Sequence, residues 1–201
     1  MSRREQLQIG ELTLDTLRRL DNKKASSILA AVGGPVYTSV AASTAVTNTT
    51  TETLFDTSKY TIPGHTLKAG SLVRVRFQGI ATATNGTDTL AIKLYLGCTN
   101  ANPPVGGTAL ITLAARDVAN NDLFWGETDI TIRTVGTGGT FVAKTLAPAN
   151  PNAAGTAANI GFVASTSLDT TVNQLLAVSA TWSVQNAGNS CRLDNMIVEI
   201  Y

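Results

Sequence analysis

The sequence predicts an all-β protein, an antiparallel sandwich with a short helical arm in front. Three observations carry that prediction. Residues 71–97 alternate apolar and polar side chains, the signature of strands with one buried and one wet face. Breaker clusters punctuate the chain at 100–107, 135–139 and 147–155. Thr, Ala, Asn, Gly and Ser dominate the remainder, and β-branched Thr suits a strand while leaving a hydroxyl for solvent.

Residues 1–34 differ in pattern from the rest of the chain and form the predicted arm. Leu12, Leu14, Leu17 and Leu20, then Ile28, Leu29 and Val32, recur at spacings that suit an amphipathic helix, with Arg18, Arg19, Lys23 and Lys24 between them. Thr13 or Asp15 is available near its start as a cap. Six of the 15 basic residues fall in the first 24 positions. Gly33-Gly34-Pro35 ends any helix. Residues 35–201 then form the predicted β-domain.

Seven threonines between Thr44 and Thr57 make an extended segment near 45–56. Tyr60, Ile62 and Pro63 lead to Leu67 and a turn at Lys68-Ala69-Gly70. In 71–83, Val73, Val75 and Phe77 point inward, Arg74 and Arg76 outward. Asn85-Gly86 suits a hairpin turn, lengthened by polar flanks, into 89–97, where Leu90, Ile92, Leu94 and Leu96 resume the inward face. Further strands lie near 108–116, 127–135, 140–147, 160–167, 174–185 and 192–201, about nine in all. In the penultimate one Leu176, Val178, Ala180, Trp182 and Val184 share a face opposite Ser179, Thr181 and Ser183. In the last, Met196, Val198 and Ile200 do so. Many short strands with turn clusters favour a sandwich over a parallel α/β sheet.

Composition narrows the function classes. Hydrophobic residues make up 43%, enough for a core, while charged residues are only 14% and the net charge is +1. A sequence-independent nucleic-acid binder needs many uncompensated cations, so no nucleic-acid partner is expected. No run of 18 apolar residues exists, so no membrane partner is expected either. The opening MSRREQLQIGEL has no apolar core of a secretory signal. Cys98 and Cys191, the only cysteines, lack metal-site spacing and read as separate reduced thiols. A low-charge Thr-rich surface suits packing against other protein surfaces, and equally an ordinary soluble β-domain.

The sequence predicts no catalytic, cofactor or metal residues. His65 is the only histidine and sits in a turn, which excludes a triad or a multi-histidine site within one chain. The glycines at 136–139 read as a hairpin loop rather than a phosphate cradle. Asp117, Asp122, Glu127 and Asp129 could offer carboxylate or calcium chemistry, but RDVANNDLFWGETD reads more simply as a polar loop entering a strand. Trp182 belongs to an apolar face. Trp125 is a candidate surface anchor, either an interface residue or a sugar-stacking platform, with a core-edge position as the plainer alternative. Sequons at Asn48 and Asn85 read as chance matches without a secretory signal.

The run from Thr49 to Gly97 resembles a segment common in structural proteins of tailed bacteriophages. Ile62, Pro63, Leu67, Ala69, Gly70, Gly79, Leu94, Tyr95 and Gly97 carry the likeness, over about a quarter of the chain. The resemblance implies a jelly-roll β-sandwich in a virion, often a homotrimer, serving as a capsid decoration (cement) protein or as part of a fibre or tail. For a cement protein the partners would be the major capsid protein and copies of itself. Its place would be the capsid exterior, after folding in the host cytoplasm. The arm residues Leu12, Leu14, Leu17, Arg18, Arg19, Leu20, Lys23 and Lys24 would grip the capsid. The alternative is a fibre or tail module that recognises host-surface glycans through Trp125 and the loops at 98–107 and 147–155. No cofactor is implied.

Overall fold

A computed structural model describes residues 34–148 and 159–201. The predicted helix and its capsid-gripping residues lie outside the described residues, as does most of the 147–155 loop. Eleven strands are described: β1 (Gly34–Thr38), β2 (Val46–Thr47), β3 (Thr53–Ile62), β4 (Leu72–Thr82), β5 (Thr89–Leu96), β6 (Thr108–Asp117), β7 (Asp122–Thr134), β8 (Thr140–Ala147), β9 (Asn159–Ser167), β10 (Gln174–Trp182) and β11 (Ser190–Ile200). They form an antiparallel sandwich of two sheets. One has seven strands in the order β1-β11-β4-β7-β8-β9, with β2 also on β11; the other runs β3-β10-β5-β6.

This interleaving is the jelly-roll order of two Greek keys. Setting β8 and β9 aside, the chain moves from the larger sheet (β1, β2) to the smaller (β3), then to β4, to β5 and β6, to β7, to β10 and to β11. The β8–β9 hairpin extends the seven-stranded sheet beyond that plan.

The alternating faces hold. Val73, Val75, Phe77, Leu90, Ile92, Leu94, Leu96, Leu176, Val178, Ala180, Trp182, Met196, Val198 and Ile200 are buried in one core between the sheets. The pairing of the most patterned stretch does not. β4 pairs with β11 and β7 in one sheet, whereas β5 pairs with β10 and β6 in the other. The Asn85-Gly86 segment is therefore an arch between sheets, not a hairpin, and Gly86 lacks the positive φ that a tight hairpin would demand.

Other boundaries also shift. The extended stretch read as 45–56 resolves into short β2 and, further on, β3; Gly34–Thr38 is a strand on β11. β7 begins at Asp122, so the supposed polar loop before 127 is already strand. β10 ends at Trp182, which leaves Val184 exposed rather than inward. Ser179 and Ala177, on the face expected to be wet, are buried. Cys191 lies in the main core and Cys98 in a small satellite cluster with Leu54 and Ala177, both thiols free, as expected.

The centre of the larger sheet is fixed by two matching tripeptides, Phe77-Gln78-Gly79 on β4 and Phe124-Trp125-Gly126 on β7. Phe77 lies opposite Gly126, Gly79 opposite Phe124, and Gln78 opposite Trp125. Each glycine makes room for the facing ring. A Cβ on Gly126 would come within 2.6 Å of the Phe77 ring and 2.8 Å of Ile111 Cδ1, and one on Gly79 would overlap the Phe124 ring and the Arg192 carbonyl. Phe124 then stacks across the sandwich on Phe55 of β3, ring centroids 6.2 Å apart. At the other end, buried Trp182 donates its indole N–H to the Val46 carbonyl at 3.1 Å, tying β2 to the core.

The two glycines differ in what surrounds them, and this sets their sensitivity. Gly79→Ala meets backbone and costs about 3 kcal/mol; Gly126→Ala meets only side-chain ends and costs about 1–2 kcal/mol. Urea unfolding midpoints at unchanged slope will measure both. A Gly79→Ala variant no less stable than wild type would refute the close packing.

Candidate functional site

Because strand neighbours share a face, the registers fix what the outer surface of the seven-stranded sheet displays. One row across it reads Glu199, Arg74, Asp129, Lys144, Phe162; the next reads Ile197, Arg76, Glu127, Leu146, Ile160; a third reads Asn195, Gln78, Trp125. Ile80 and Leu123 pair in a further row toward the β4–β5 end. Trp125 thus stands on the outer face, half-buried, because its neighbours Phe124 and Gly126 both point inward. It is neither core nor loop.

A shallow depression of about 220 Å³, lined by Arg76, Phe77, Gln78, Asn195 and Ile197, lies beside it. The β11 backbone is bulged between Leu193 and Asn195, which moves Asn195 onto this face. Arg76 is held by Glu199 at 2.9 Å and remains about half exposed. Arg74 makes a two-pronged contact with Asp129, at 2.7 and 3.4 Å, and this hydrogen bond raises its pKa. The face therefore offers an aromatic plane, two amides and a guanidinium, all on strands rather than loops. Such a surface can stack a planar or polyhydroxylated ligand, or seat a partner protein.

The remaining predicted positions are elsewhere. His65 adopts φ 62° in its turn, exposed, at an open cleft of about 630 Å³ that Lys68, Ser71 and Tyr201 also line. Asp122 accepts from the Ala119 N–H at 2.7 Å and caps the β6–β7 turn, while Glu127 and Asp129 face Arg74. Among the described residues no three His, Cys, Asp or Glu side chains gather as metal ligands. The loop at 98–107 lies over the edge of the smaller sheet: Asn102 Oδ1 accepts from the Leu54 N–H at 2.8 Å, and Asn100 Oδ1 from Lys59 at 2.9 Å.

The outer face of the four-stranded sheet carries a polar cluster that the sequence did not disclose. Glu52 accepts from Ser179 Oγ at 2.7 Å, Tyr95 OH at 3.0 Å and Lys93 Nζ at 3.2 Å. A Ser–Glu–Lys group suggests chemistry, but Ser179 is fully buried and the carboxylate already satisfies three donors. The cluster works as a lock among the start of β3, β5 and β10. Burial by itself would lower the Lys93 pKa, yet the hydrogen bonds to Tyr95 and Glu52 prevail and hold it above the ordinary value. Burial raises that of Tyr95, with Lys93 pulling the other way.

No protein-family model matches the chain, and no curated protein matches it. Solved structures with partial likeness include lectins. Lectin II from Ulex europaeus is 14% identical with a TM-score of 0.34, over 76% of this chain and 83% of that one. Peanut lectin with a 9-mer peptide is 6% identical with a TM-score of 0.38, over 78% and 83%. A Lotus tetragonolobus seed lectin is 8% identical with a TM-score of 0.35, over 74% and 80%. Likenesses at these scores carry no argument for function, and the two-sheet architecture rests on the strand pairing itself.

The raised groups fix the sign of an alkaline response. Tyr37, Tyr60 and Tyr95 are raised from 10.0 and Lys93 from 10.5, so the folded chain holds these protons more tightly than the unfolded chain. Their contribution is complete below those values and is lost as pH climbs through the raised ones. The thermal midpoint will therefore fall from about pH 10 upward. A midpoint that stays flat to about pH 12 would contradict this.

Proposed function

We propose that this chain is a structural protein of a tailed-phage virion, a decoration subunit that stabilises the head by docking on capsid protein without performing a reaction. One observation carries the docking surface: Trp125 lies half-buried on the outer sheet face opposite Gln78, in the same row as Asn195 and next to the row of Arg76. Trp and Arg are the side chains that most often anchor protein interfaces. The phage assignment is supported by the sequence resemblance, whose residues hold architectural positions here. Ile62 and Leu67 are buried, Gly70 and Gly97 take positive φ, and Gly79 receives Phe124. The arm, with Leu12, Leu14, Leu17 and Leu20 between basic residues, supplies the second grip, against an acidic shell.

Purified protein added to undecorated phage heads will bind. Trp125→Ala will weaken that binding at least about tenfold, and deletion of residues 1–32 will abolish it. Binding unchanged by both refutes the docking surfaces.

The amides and guanidinium on the β4 and β11 side of Trp125 also favour a second reading, a fibre or tail module for host-surface glycans. A sugar stacked on the indole would find hydrogen-bond partners in Gln78, Asn195 and Arg76. A glycan array will then show saturable binding that Trp125→Ala removes. A silent array alongside head binding decides for the decoration role.

A further inference from the structure

We propose that β9 is a self-association edge, through which two copies of this chain pair strand to strand, antiparallel, about a two-fold axis at Gly161. An unpaired strand edge invites another strand, and proteins ordinarily guard it with charge, proline or brevity. Among the described residues the edges of the two sheets are β1, β3, β6 and β9, with two-residue β2 beside β1. β1 is short and carries Pro35; β3 carries Asp56 and Lys59; β6 ends in Arg116-Asp117. β9, Asn-Ile-Gly-Phe-Val-Ala-Ser-Thr-Ser, has nine residues with no charge and no proline. It belongs to the added hairpin, beyond the eight-stranded jelly-roll order.

The side chains on this edge suit a copy of themselves. Ile160 and Phe162 share the outer face and are 73% and 72% exposed. Centring an antiparallel pair on Gly161 sets Ile160 of each copy against Phe162 of the other, two apolar contacts from one symmetric operation. Residues 159–163 are the regular half of the strand, since the bulge against β8 falls beyond Val163. The rows then continue across the axis. Glu127, Leu146 and Ile160 of one copy lead to Phe162 and Lys144 of the other, so each apolar row ends in opposite charges. The arrangement is a two-fold dimer and replaces the three-fold association that the sequence resemblance implies.

Sedimentation of the isolated full-length protein tests this with no virion or glycan present, so its outcome is independent of the docking function. Wild type will form a dimer. The variant I160K/F162K sets like charges across the axis and will weaken the dimer at least about tenfold. The variant I160K/F162E sets opposite charges across the same axis and will retain the dimer at low salt and lose it at high salt. Both positions are exposed, and circular dichroism will check that the fold persists. Backbone amides of β9 will show hydrogen-exchange protection that fades on dilution. A wild-type monomer at all concentrations, a closed trimer, a dimer indifferent to both variants, or β9 protection independent of concentration would each overturn the proposal.

Discussion

The reciprocal seating of Phe77 over Gly126 and Phe124 over Gly79 is the constraint on which the rest of the larger sheet depends. A slip of one residue between β4 and β7 would turn one of the two rings out to solvent. A slip of two would set one ring against the other strand's ring or leave glycine facing glycine. Only the observed register places each ring over a glycine. The same register brings Gln78 opposite Trp125 on the other side of the sheet, so the packing that holds the core also composes the candidate binding surface. Phe124 carries the constraint to the second sheet through Phe55.

The two outer faces serve different ends. On the four-stranded sheet, Glu52 gathers Ser179, Tyr95 and Lys93, and the 98–107 loop bonds to β3. The polar groups of that cluster are consumed internally. On the seven-stranded sheet the ion pairs bridge neighbouring strands while the indole, the amides and part of Arg76 stay available. A carboxylate with three donors has little left for a ligand, whereas a partly exposed indole can still offer ring surface for stacking. This contrast is why the larger sheet, not the more reactive-looking cluster, is the better surface for recognition.

Much of the strand content was legible because alternation is local: Arg74, Arg76 and the apolar residues between them announce their faces without reference to any partner. Pairing is not local. Asn85-Gly86 promised a hairpin, but β4 is claimed by β7 and β11, which lie far along the chain, and the turn became an arch. Ser179 looked solvent-facing because its burial depends on Glu52, 127 residues away. Trp125 stood out in the sequence as a surface candidate, yet its neighbours could not. Gln78 is one of several polar residues on an alternating strand, and Asn195 reaches the face through a bulge that the sequence does not mark. The repeated Phe-x-Gly of 77–79 and 124–126 was an available signal for the pairing of β4 with β7.

The added β8–β9 hairpin connects the two functional proposals. Pairing β9 with β9 in the plane of the sheet, about an axis normal to it, keeps both outer faces on the same side. The two Trp125 residues would stand on strands five inter-strand steps, about 24 Å, apart and offset by about 20 Å along the strands, on one continuous surface. A flat partner with repeating subunits could engage both at once, and the second contact would form at the high effective concentration set by the first. A weak patch on one copy would thereby suffice for firm attachment to a lattice. Two linked weak patches suit a surface of repeating units better than a solitary soluble ligand.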